Sequence, residues 1–253
     1  MTCTHAIVRP PTANAGDGLT TSALGPPGPE RMLAQHREYV RILGSLGIEI
    51  ITLDAEEQYP DACFVEDTAV VTPDIAVVTR PGAPARRGEE ATVEPSLAAH
   101  RSVARIEAPG TVDGGDILVM GERVLIGLSE RTNEEGASQL GAILEAHGMQ
   151  CTTLDAGEGL HLKSSINALG DYRLLVTPEF SELPELSTFE RVVVPANETY
   201  AGNSLWVNDH VLVPTGFPRT RDLIEKLGTK TIETDVGEFR KMDGGLTCLS
   251  IRL

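Results

Sequence analysis

The sequence lacks the patterns that mark membrane and secreted proteins. No apolar run in its 253 residues approaches the ~20 residues that a membrane-spanning helix needs. The first residues do not follow the charged and then apolar pattern of a secretion signal. We therefore expect a protein that has no membrane partner.

Positive charge is also scarce. The chain has 21 Lys and Arg residues against 37 Asp and Glu residues, which gives a net charge of −16. Such an excess of acid argues against binding to nucleic acid or to an anionic membrane, because both carry negative charge themselves. A small cationic ligand is compatible with it.

Cysteine is scarce too, and its four positions lie far apart at Cys3, Cys63, Cys151 and Cys248. They form no Cys-x-x-Cys pair and have no zinc-finger spacing, so we predict no dedicated metal site and no cofactor. Isolated cysteines are typical of a reducing compartment, which indicates a cytoplasmic protein. A single domain spanning residues 1–253 is expected from a chain with 41% hydrophobic and 23% charged residues.

What the sequence does contain is an internal repeat. An apolar run resembling a hairpin recurs five times, with equivalent points 39 to 49 residues apart. Turn-forming pairs such as Asn208-Asp209 and Gly170-Asp171 stand at the centre of the runs, as two antiparallel strands require. The runs are Val65–Thr79, Gly114–Leu128, Lys163–Thr177, Gly202–Thr215 and Gly245–Leu253.

The pattern around each run predicts an α/β fold of five ββαβ units. Helical periodicity follows the hairpins, most clearly at Glu30–Leu46, Asn133–His147 and Arg219–Leu227, each of which ends at a glycine. A short strand follows each helix. Because the fifth run is too short for a hairpin, the segment His5–Arg9 is expected to pair with it, which closes a five-bladed α/β propeller with pseudo-fivefold symmetry.

In such a ring, the loops that join the lone strand to the next hairpin lie at one end. These loops, roughly 54–65, 108–115, 156–164, 196–203 and 234–247, carry chemically reactive residues at or near their ends. We therefore expect Cys248, His161 and Asp113 to meet at one mouth. A cysteine becomes a nucleophile as the thiolate, an imidazolium beside it favours that form, and a carboxylate can orient the imidazole.

Two adjacent acids, Glu66 and Asp67, lie in an otherwise apolar stretch and need a partner there. A guanidinium is a planar cation with several donors, and its central carbon is an electrophile that a thiolate can attack. The alternative is a buried structural arginine that pairs with the same acids. Basic residues that follow two hairpins, including Arg86 and Arg131, could bind a carboxylate.

Six motifs in this order resemble the dimethylarginine dimethylaminohydrolases, which belong to the guanidino-modifying superfamily with the pentein fold. The resemblance runs nearly from end to end of the chain. The motifs are DACFVEDTAVV, TRPGAPARR, GTVDGGDIL, GLSERTN, GLHLKS and DGGLTC.

The resemblance implies that Cys248 is the nucleophile, His161 the acid and base, and Asp113 the carboxylate that orients it. Two residues would contribute backbone groups. Leu19 would lie near the substrate's α-amino group, on a Gly- and Pro-rich segment that is typical of a mobile flap, and Met242 would place its carbonyl near the reacting group.

By the same resemblance, Glu66 and Asp67 would hold the guanidinium, Asp61 the α-amino group, and Arg86 and Arg131 the α-carboxylate. The implied reaction is hydrolysis of Nω-mono- or asymmetric dimethyl-L-arginine to L-citrulline and an amine, by a monomer or homodimer and without a cofactor. An S-alkylthiouronium intermediate would form on the cysteine.

Two alternatives remain at this point. An arginine or agmatine deiminase performs the same chemistry on an unmethylated guanidine, but members of those families usually carry an acid where this chain has Lys163. Residues two apart in an extended segment face the same side, so the chain must either twist between His161 and Lys163 or carry the Lys163 side chain out of the pocket. We expect that side chain to lie outside the pocket. The second alternative is a noncatalytic propeller that serves as a binding scaffold.

Overall fold

The computed structural model describes residues 2–157, 159–170 and 172–253. The strands in these ranges are β1 (His5–Val8), β2 (Glu49–Thr52), β3 (Ala69–Val71), β4 (Ile75–Val78), β5 (Ser102–Arg105), β6 (Ile117–Met120), β7 (Arg123–Leu128), β8 (Gln150–Asp155), β9 (Ile166–Ala168), β10 (Arg173–Val176), β11 (Glu190–Val193), β12 (Leu205–Val207), β13 (His210–Pro214), β14 (Lys230–Thr234) and β15 (Ile251–Arg252). The helices are α1 (Pro29–Ser45), α2 (Glu94–Ala98), α3 (Glu134–Glu145), α4 (Pro218–Glu225) and α5 (Gly237–Arg240).

The strands form five sheets of three strands each, which confirms the predicted five-bladed α/β propeller. In four sheets, two strands that are consecutive in sequence form an antiparallel hairpin, and the third strand lies parallel to the second. The first strands of these hairpins, together with β15, line a cavity of about 180 Å³. The five innermost strands therefore surround one axis.

The fifth sheet joins the two ends of the described chain, as predicted. β15 pairs antiparallel with β1, with Ile251 opposite Ile7, and β1 pairs parallel with β2. This arrangement pairs the edge that β15 would otherwise leave open, and it anchors the segment that carries Cys248.

The predicted hairpins begin three to six residues before the observed strands. Their first residues form a 3-10 turn in each unit, because the chain must bend into the axis before it can extend along it. These turns place residues of every unit close to the axis. They span Val65–Thr68, Gly114–Asp116, Leu162–Ser164, Thr199–Gly202 and Thr247–Leu249.

The predicted turn at Asn208-Asp209 is a two-residue connection between β12 and β13. Both residues have positive φ angles, of 46° and 61°, which match the right-handed twist of the flanking strands. Of the predicted turn at Gly170-Asp171, Asp171 lies outside the described residues.

The three predicted helices correspond to α1, α3 and α4, each within three residues of the expected ends. The glycines predicted to stop them, Gly47, Gly148 and Gly228, all have φ near +80°, which is the left-handed conformation that ends a helix. After the β9–β10 hairpin, however, the described residues form two 3-10 turns instead of an α-helix. Pro178 and Pro184 each start one of these turns and interrupt helical hydrogen bonding.

The helices pack their apolar faces on the outer sides of the sheets. Leu140 and Leu144 of α3 are fully buried against β6 and β7. Tyr39 and Leu43 of α1 are fully buried against the sheet that contains β1 and the sheet that contains β12 and β13. Each such side chain contributes about 1.5–3 kcal/mol by burial. Among the described residues, no helix combines the length and the apolarity that crossing a membrane requires.

Candidate active site

Four of the five loops predicted to converge line one small pocket of about 30 Å³, and Cys248 opens into it. The loop 196–203 instead lines an adjoining groove, which shares Leu160 and Asp243 with the pocket. The pocket is lined by Leu19, Asp61, Phe64, Asp67, Arg86, Asp113, Arg131, Leu160, His161, Met242, Asp243, Gly244 and Cys248.

Cys248 lies in the 3-10 turn Thr247–Leu249 and is 9% exposed. The backbone N–H of Gly245 donates a hydrogen bond to its sulfur, at 3.4 Å. Burial, together with the negative charges of Glu66 and Asp67, raises the pKa of the thiol to about 12, although the Gly245 contact lowers it. The unliganded thiol is therefore protonated at neutral pH.

His161 lies directly before the 3-10 turn Leu162–Ser164. Its Nε2 atom is 3.1 Å from Asp113 Oδ2, and its Nδ1 atom is 3.9 Å from Asp67 Oδ1. Burial alone would lower the pKa of this imidazole, but Asp67, Asp113 and Asp116 raise it to about 9. The imidazole consequently carries a proton at neutral pH and is ready to act as an acid.

Two carboxylates of the pocket have hydrogen-bond acceptor sites left for a cationic ligand. Asp67 accepts hydrogen bonds from the N–H of Gly115 at 2.9 Å and from Arg86 Nη1 at 2.6 Å. Asp113 accepts one from the N–H of Gly82 at 2.9 Å, besides its contact with His161. Since a carboxylate offers about four acceptor sites, both side chains can accept further N–H donors.

The two Asp-Gly-Gly motifs are needed for close packing around this pocket. A Cβ atom on Gly115 would stand 2.7 Å from His161 Nδ1, and a Cβ atom on Gly245 would stand 2.4 Å from the amide of Asn203. No side chain fits at either position without displacing the imidazole or the turn before Cys248.

Glu66 is paired with two cations of the protein, and its contact with a substrate guanidinium stays a prediction. Its Oε1 atom accepts hydrogen bonds from Lys163 Nζ at 2.7 Å and from Arg252 Nη2 at 2.8 Å. Glu66 and Lys163 line the axial cavity rather than the Cys248 pocket. Lys163 points away from the pocket as expected, and in doing so it neutralises one of the two acids assigned to the guanidinium.

Arg86 also lines the pocket, and its side chain is buried in a network of ion pairs. It binds Asp67 through Nη1 and Glu89 through Nε and Nη2, and Nη2 also donates to the carbonyl of Phe64. Burial would lower its pKa, but Asp67 and Glu89 raise it well above the usual value. These pairs stabilise the buried guanidinium, and its contact with a substrate carboxylate stays a prediction.

Arg131, in contrast, has a half-buried side chain that lines the pocket. Within the described part of the chain, its guanidinium makes no hydrogen bond or ion pair with a protein group. It is thus the pocket cation with donors left for an anionic group of a ligand.

Leu19 and Asp61 meet as expected, since both Asp61 oxygens accept the Leu19 N–H, at 3.2 and 3.0 Å. The segment 14–29 brings Leu19 to the pocket. It is also held by Asp243, whose Oδ2 accepts hydrogen bonds from the Thr21 N–H at 2.5 Å and from the Thr20 hydroxyl at 3.2 Å. Met242 lines the pocket beside Asp243.

Comparison with known proteins places this site in a family. Residues 28–194 match the family profile described as N,N dimethylarginine dimethylhydrolase, eukaryotic. The N(G),N(G)-dimethylarginine dimethylaminohydrolase of Pseudomonas aeruginosa is 44% identical over 98% of both chains. The chain belongs to the dimethylarginine dimethylaminohydrolase family. The Streptomyces coelicolor protein of the same name is 36% identical over 100% of this chain and 98% of its own length.

Solved structures of the family agree with this fold. A cysteine-to-serine variant of the Pseudomonas aeruginosa enzyme complexed with citrulline superposes with a TM-score of 0.98, at 43% identity and full coverage of both chains. The N-terminal domain of ArgZ, described as a cyanobacterial arginine dihydrolase, has a TM-score of 0.88 at 19% identity over 98% of this chain and 96% of its own. The second likeness shows the fold alone.

Several pocket residues of this family member escaped the sequence-based prediction. Phe64, Leu160 and Asp243 have side chains in the pocket, but they carry no charge pattern or spacing that marks them. Asp243 is the exception in retrospect, because it opens the second Asp-Gly-Gly motif. It has a positive φ of 58°, which is unusual for a residue other than glycine and indicates a constrained position.

One group of possible metal ligands occurs among the described residues. Atoms of Asp67, Asp113 and His161 lie within 4.8 Å of one another. Two of these groups already have protein partners, because Arg86 lies 2.6 Å from Asp67 and His161 lies 3.1 Å from Asp113. The absence of a metal requirement stays a prediction.

We expect the alkylation of Cys248 to depend on the charge of the reagent. Neutral iodoacetamide should react faster by about tenfold for each pH unit from 7 to 9, because the thiolate fraction rises in that proportion below the thiol pKa. A cationic haloacetamidine should react readily at pH 7, since its charge offsets that of Asp67. Rates would be followed by mass spectrometry of the Cys248 peptide, with C248S as the control. A neutral-reagent rate that levels off below pH 8 would show a preformed thiolate instead.

Proposed function

We propose that this chain hydrolyses Nω-mono- and asymmetric dimethyl-L-arginine to L-citrulline and methylamine or dimethylamine. The observation that carries the proposal is one pocket that holds a buried thiol, an imidazole paired with a carboxylate, and a further carboxylate with free acceptor sites. The chain's family supports it, because relatives that cover its full length carry this activity in their names.

The charges of the pocket fit the two ends of an arginine-like substrate. Asp67 and Asp113 accept the N–H groups of the guanidinium, and Arg131 binds the α-carboxylate. Asp61 accepts the α-amino group, for which it exchanges the Leu19 N–H or shares its oxygens with it. The pocket of about 30 Å³ holds a small number of water molecules, so the segment 14–29 has to open before an amino acid can enter.

Binding of the cation starts the reaction. A guanidinium next to Cys248 lowers the thiol pKa, because its positive charge offsets the negative charges of Asp67 and Glu66, and the thiol then releases its proton to solvent. The thiolate then attacks the guanidinium carbon and forms a carbon–sulfur bond. As the bond to the methylated nitrogen breaks, His161 donates its proton to the departing amine, which leaves an S-alkylthiouronium on Cys248.

Water completes the cycle. His161, now neutral, takes a proton from a water molecule that attacks the same carbon, and Asp113 holds the imidazole in orientation. The carbon–sulfur bond breaks, the thiolate is released, the remaining hydroxyl proton passes to solvent, and the carbon keeps the water oxygen as the ureido carbonyl of citrulline. One substrate molecule and one water thus give one citrulline and one amine.

We further propose that residues 1–253 act as one catalytic domain, as a monomer or homodimer, with no nucleic-acid partner. Segments from four of the five units and the flap contribute to the pocket, so a smaller piece of the ring would not assemble it. All four cysteines are free, which supports a reducing cytoplasm as the location.

The substrate panel tests this function against the deiminase alternative. Because Asp67 holds one side of the guanidinium, the methylated nitrogen must leave from the other side. Mono- and asymmetric dimethyl-L-arginine should therefore give citrulline, symmetric dimethylarginine should be rejected, and arginine should be poor. Citrulline and amine would be measured at equal concentrations of all four. A clear preference for arginine would favour a deiminase, and no turnover of any would favour a binding scaffold.

The nucleophile has its own test. The nearly isosteric change Cys248→Ser should lower kcat by about 10³-fold or more, because an alcohol is not ionised here, while the melting temperature stays near that of the wild type. His161→Ala should also stop turnover. Cys63→Ser and Cys151→Ser serve as matched controls that keep it, and an active C248S protein would contradict the assignment.

Arg86 and Arg131 should respond differently to replacement. Arg131→Ala removes a charge-assisted contact worth about 1.5–3 kcal/mol, so kcat/KM for Nω-methyl-L-arginine should fall by about 10- to 150-fold without a loss of stability. Arg86→Ala leaves Asp67 and Glu89 buried without their counter-charge and should destabilise the fold by about 3–5 kcal/mol.

Nω-Methylagmatine, which has no carboxylate, is the control substrate for this comparison. Its turnover should not change in the Arg131→Ala variant. If Arg131→Ala lowers the turnover of both substrates equally, Arg131 does not bind the carboxylate.

A further inference from the structure

Asp116 lies directly behind the catalytic pair, although it does not line the pocket. Its side chain is fully buried, and its Oδ1 atom accepts a hydrogen bond from the backbone N–H of Leu162 at 2.9 Å. Leu162 follows His161 in the chain. One oxygen of Asp116 therefore fixes the backbone from which the imidazole projects.

The other oxygen of Asp116 is connected to Asp113, the hydrogen-bond partner of His161. Oδ2 accepts hydrogen bonds from the hydroxyls of Thr132, at 2.6 Å, and Ser129, at 2.7 Å. The Thr132 hydroxyl in turn accepts the backbone N–H of Asp113 at 3.1 Å. The path from Asp116 through Thr132 thus reaches the carboxylate that holds His161.

The Ser129 hydroxyl leads to the substrate end of the pocket. It accepts the backbone N–H of Arg131 at 2.9 Å and that of Thr132 at 3.1 Å. These contacts shape the tight turn that presents the Arg131 guanidinium. Asp116 is consequently connected to His161, to Asp113 and to Arg131 through one or two hydrogen bonds each.

A carboxylate is required at this position. Both hydroxyls already accept backbone N–H groups, so each must donate its own proton to Asp116, and the Leu162 N–H is a donor as well. A side chain that meets three donors needs acceptors only, which asparagine cannot supply, because its amide nitrogen would face a hydroxyl proton. The negative charge also faces His161 together with those of Asp67 and Asp113.

We propose that Asp116 is a positioning residue that sets the acid–base pair and the carboxylate-binding arginine from one point. The inference rests on the proposed function for what Arg131 and His161 do. It assigns separate roles to two hydrogen-bonded paths that start at Asp116, which we call arms. The Thr132 arm, which reaches Asp113, supports the chemical step, and the Ser129 arm, which reaches Arg131, supports binding of the α-carboxylate.

The two arms can be separated by single substitutions. Thr132→Val keeps the shape and removes the hydroxyl, and it should lower kcat about 10- to 100-fold with little change in KM; Thr132→Ser should restore part of this loss. Ser129→Ala should raise KM for Nω-methyl-L-arginine about tenfold, leave kcat within about twofold, and leave KM for Nω-methylagmatine unchanged.

Asp116→Asn removes both arms and one negative charge beside the imidazole. It should lower kcat and raise KM together. In addition, the His161 titration, followed by NMR, should move to lower pH, because the charges of Asp67 and Asp113 remain while that of Asp116 is lost. The substitution leaves the other charged and reactive groups of the pocket in place, namely Arg86, Arg131 and the Cys248 thiol.

The matched control is Glu198→Gln. Glu198 is also buried and also accepts one hydroxyl and two backbone N–H groups, those of Arg219 and Thr220, but it holds the start of α4 and does not line the pocket. It should lower the melting temperature without changing kcat, KM or the His161 titration. A purely structural Asp116 would behave in the same way.

The proposal is overturned if Asp116→Asn matches the control, or if Ser129→Ala and Thr132→Val change kcat and KM in the same ratio. Its failure is distinct from failure of the proposed function. If the unaltered chain releases no citrulline, the function is wrong, and the shift in the His161 titration still tests whether Asp116 faces the imidazole as proposed.

Discussion

The structure depends on how the negative charges of buried carboxylates near the axis are compensated. Glu66, Asp67, Asp113 and Asp116 are each almost fully buried, and an uncompensated charge in such a place costs several kcal/mol. Each carboxylate is stabilised by different partners. Two cations bind Glu66, Arg86 binds Asp67, His161 binds Asp113, and three neutral donors bind Asp116. The site is acidic enough to attract a guanidinium because only some of these charges are fully neutralised.

The repeat of the fold explains how one ring carries such different groups. The 3-10 turns before the innermost strands are equivalent by position, and three of them hold Asp67, Asp116 and Cys248. In the proposed function, the same local geometry therefore supplies a ligand for the cation, an internal support and a nucleophile. Neighbouring residues in these turns face different cavities, as Glu66 and Asp67 do and as Thr247 and Cys248 do.

Much of this arrangement could be predicted from periodicity, because β-hairpins, helix stops and turn residues leave local signals. The closure of the ring by His5–Arg9 followed from the shortness of the last repeat. The repeat also predicts a helix after β10, but that prediction is wrong, because Pro178 and Pro184 interrupt helical hydrogen bonding there. The predicted strands begin too early because each recurring segment includes the 3-10 turn, which the repeat alone does not distinguish from an extended strand.

The site was harder to predict, because pairing in three dimensions decides which charges are available. His161 and Asp113 met as expected. The protein partners of Glu66 and Arg86 were not predicted. Glu66 pairs with Lys163 and with Arg252, which is 186 residues away in sequence, and Arg86 pairs with Glu89. Asp116 went unrecognised because its partners are two hydroxyls and a backbone N–H, which leave no charge pattern to detect.

The pairing of β15 with β1 has a consequence for the order of assembly. Cys248 lies in a turn that runs into β15, and β15 pairs with β1 from the far end of the described chain. This contact closes a loop that spans nearly the whole ring, so it forms slowly. Until it forms, the Cys248 thiol lacks the buried surroundings that raise its pKa, and it behaves as an ordinary cysteine.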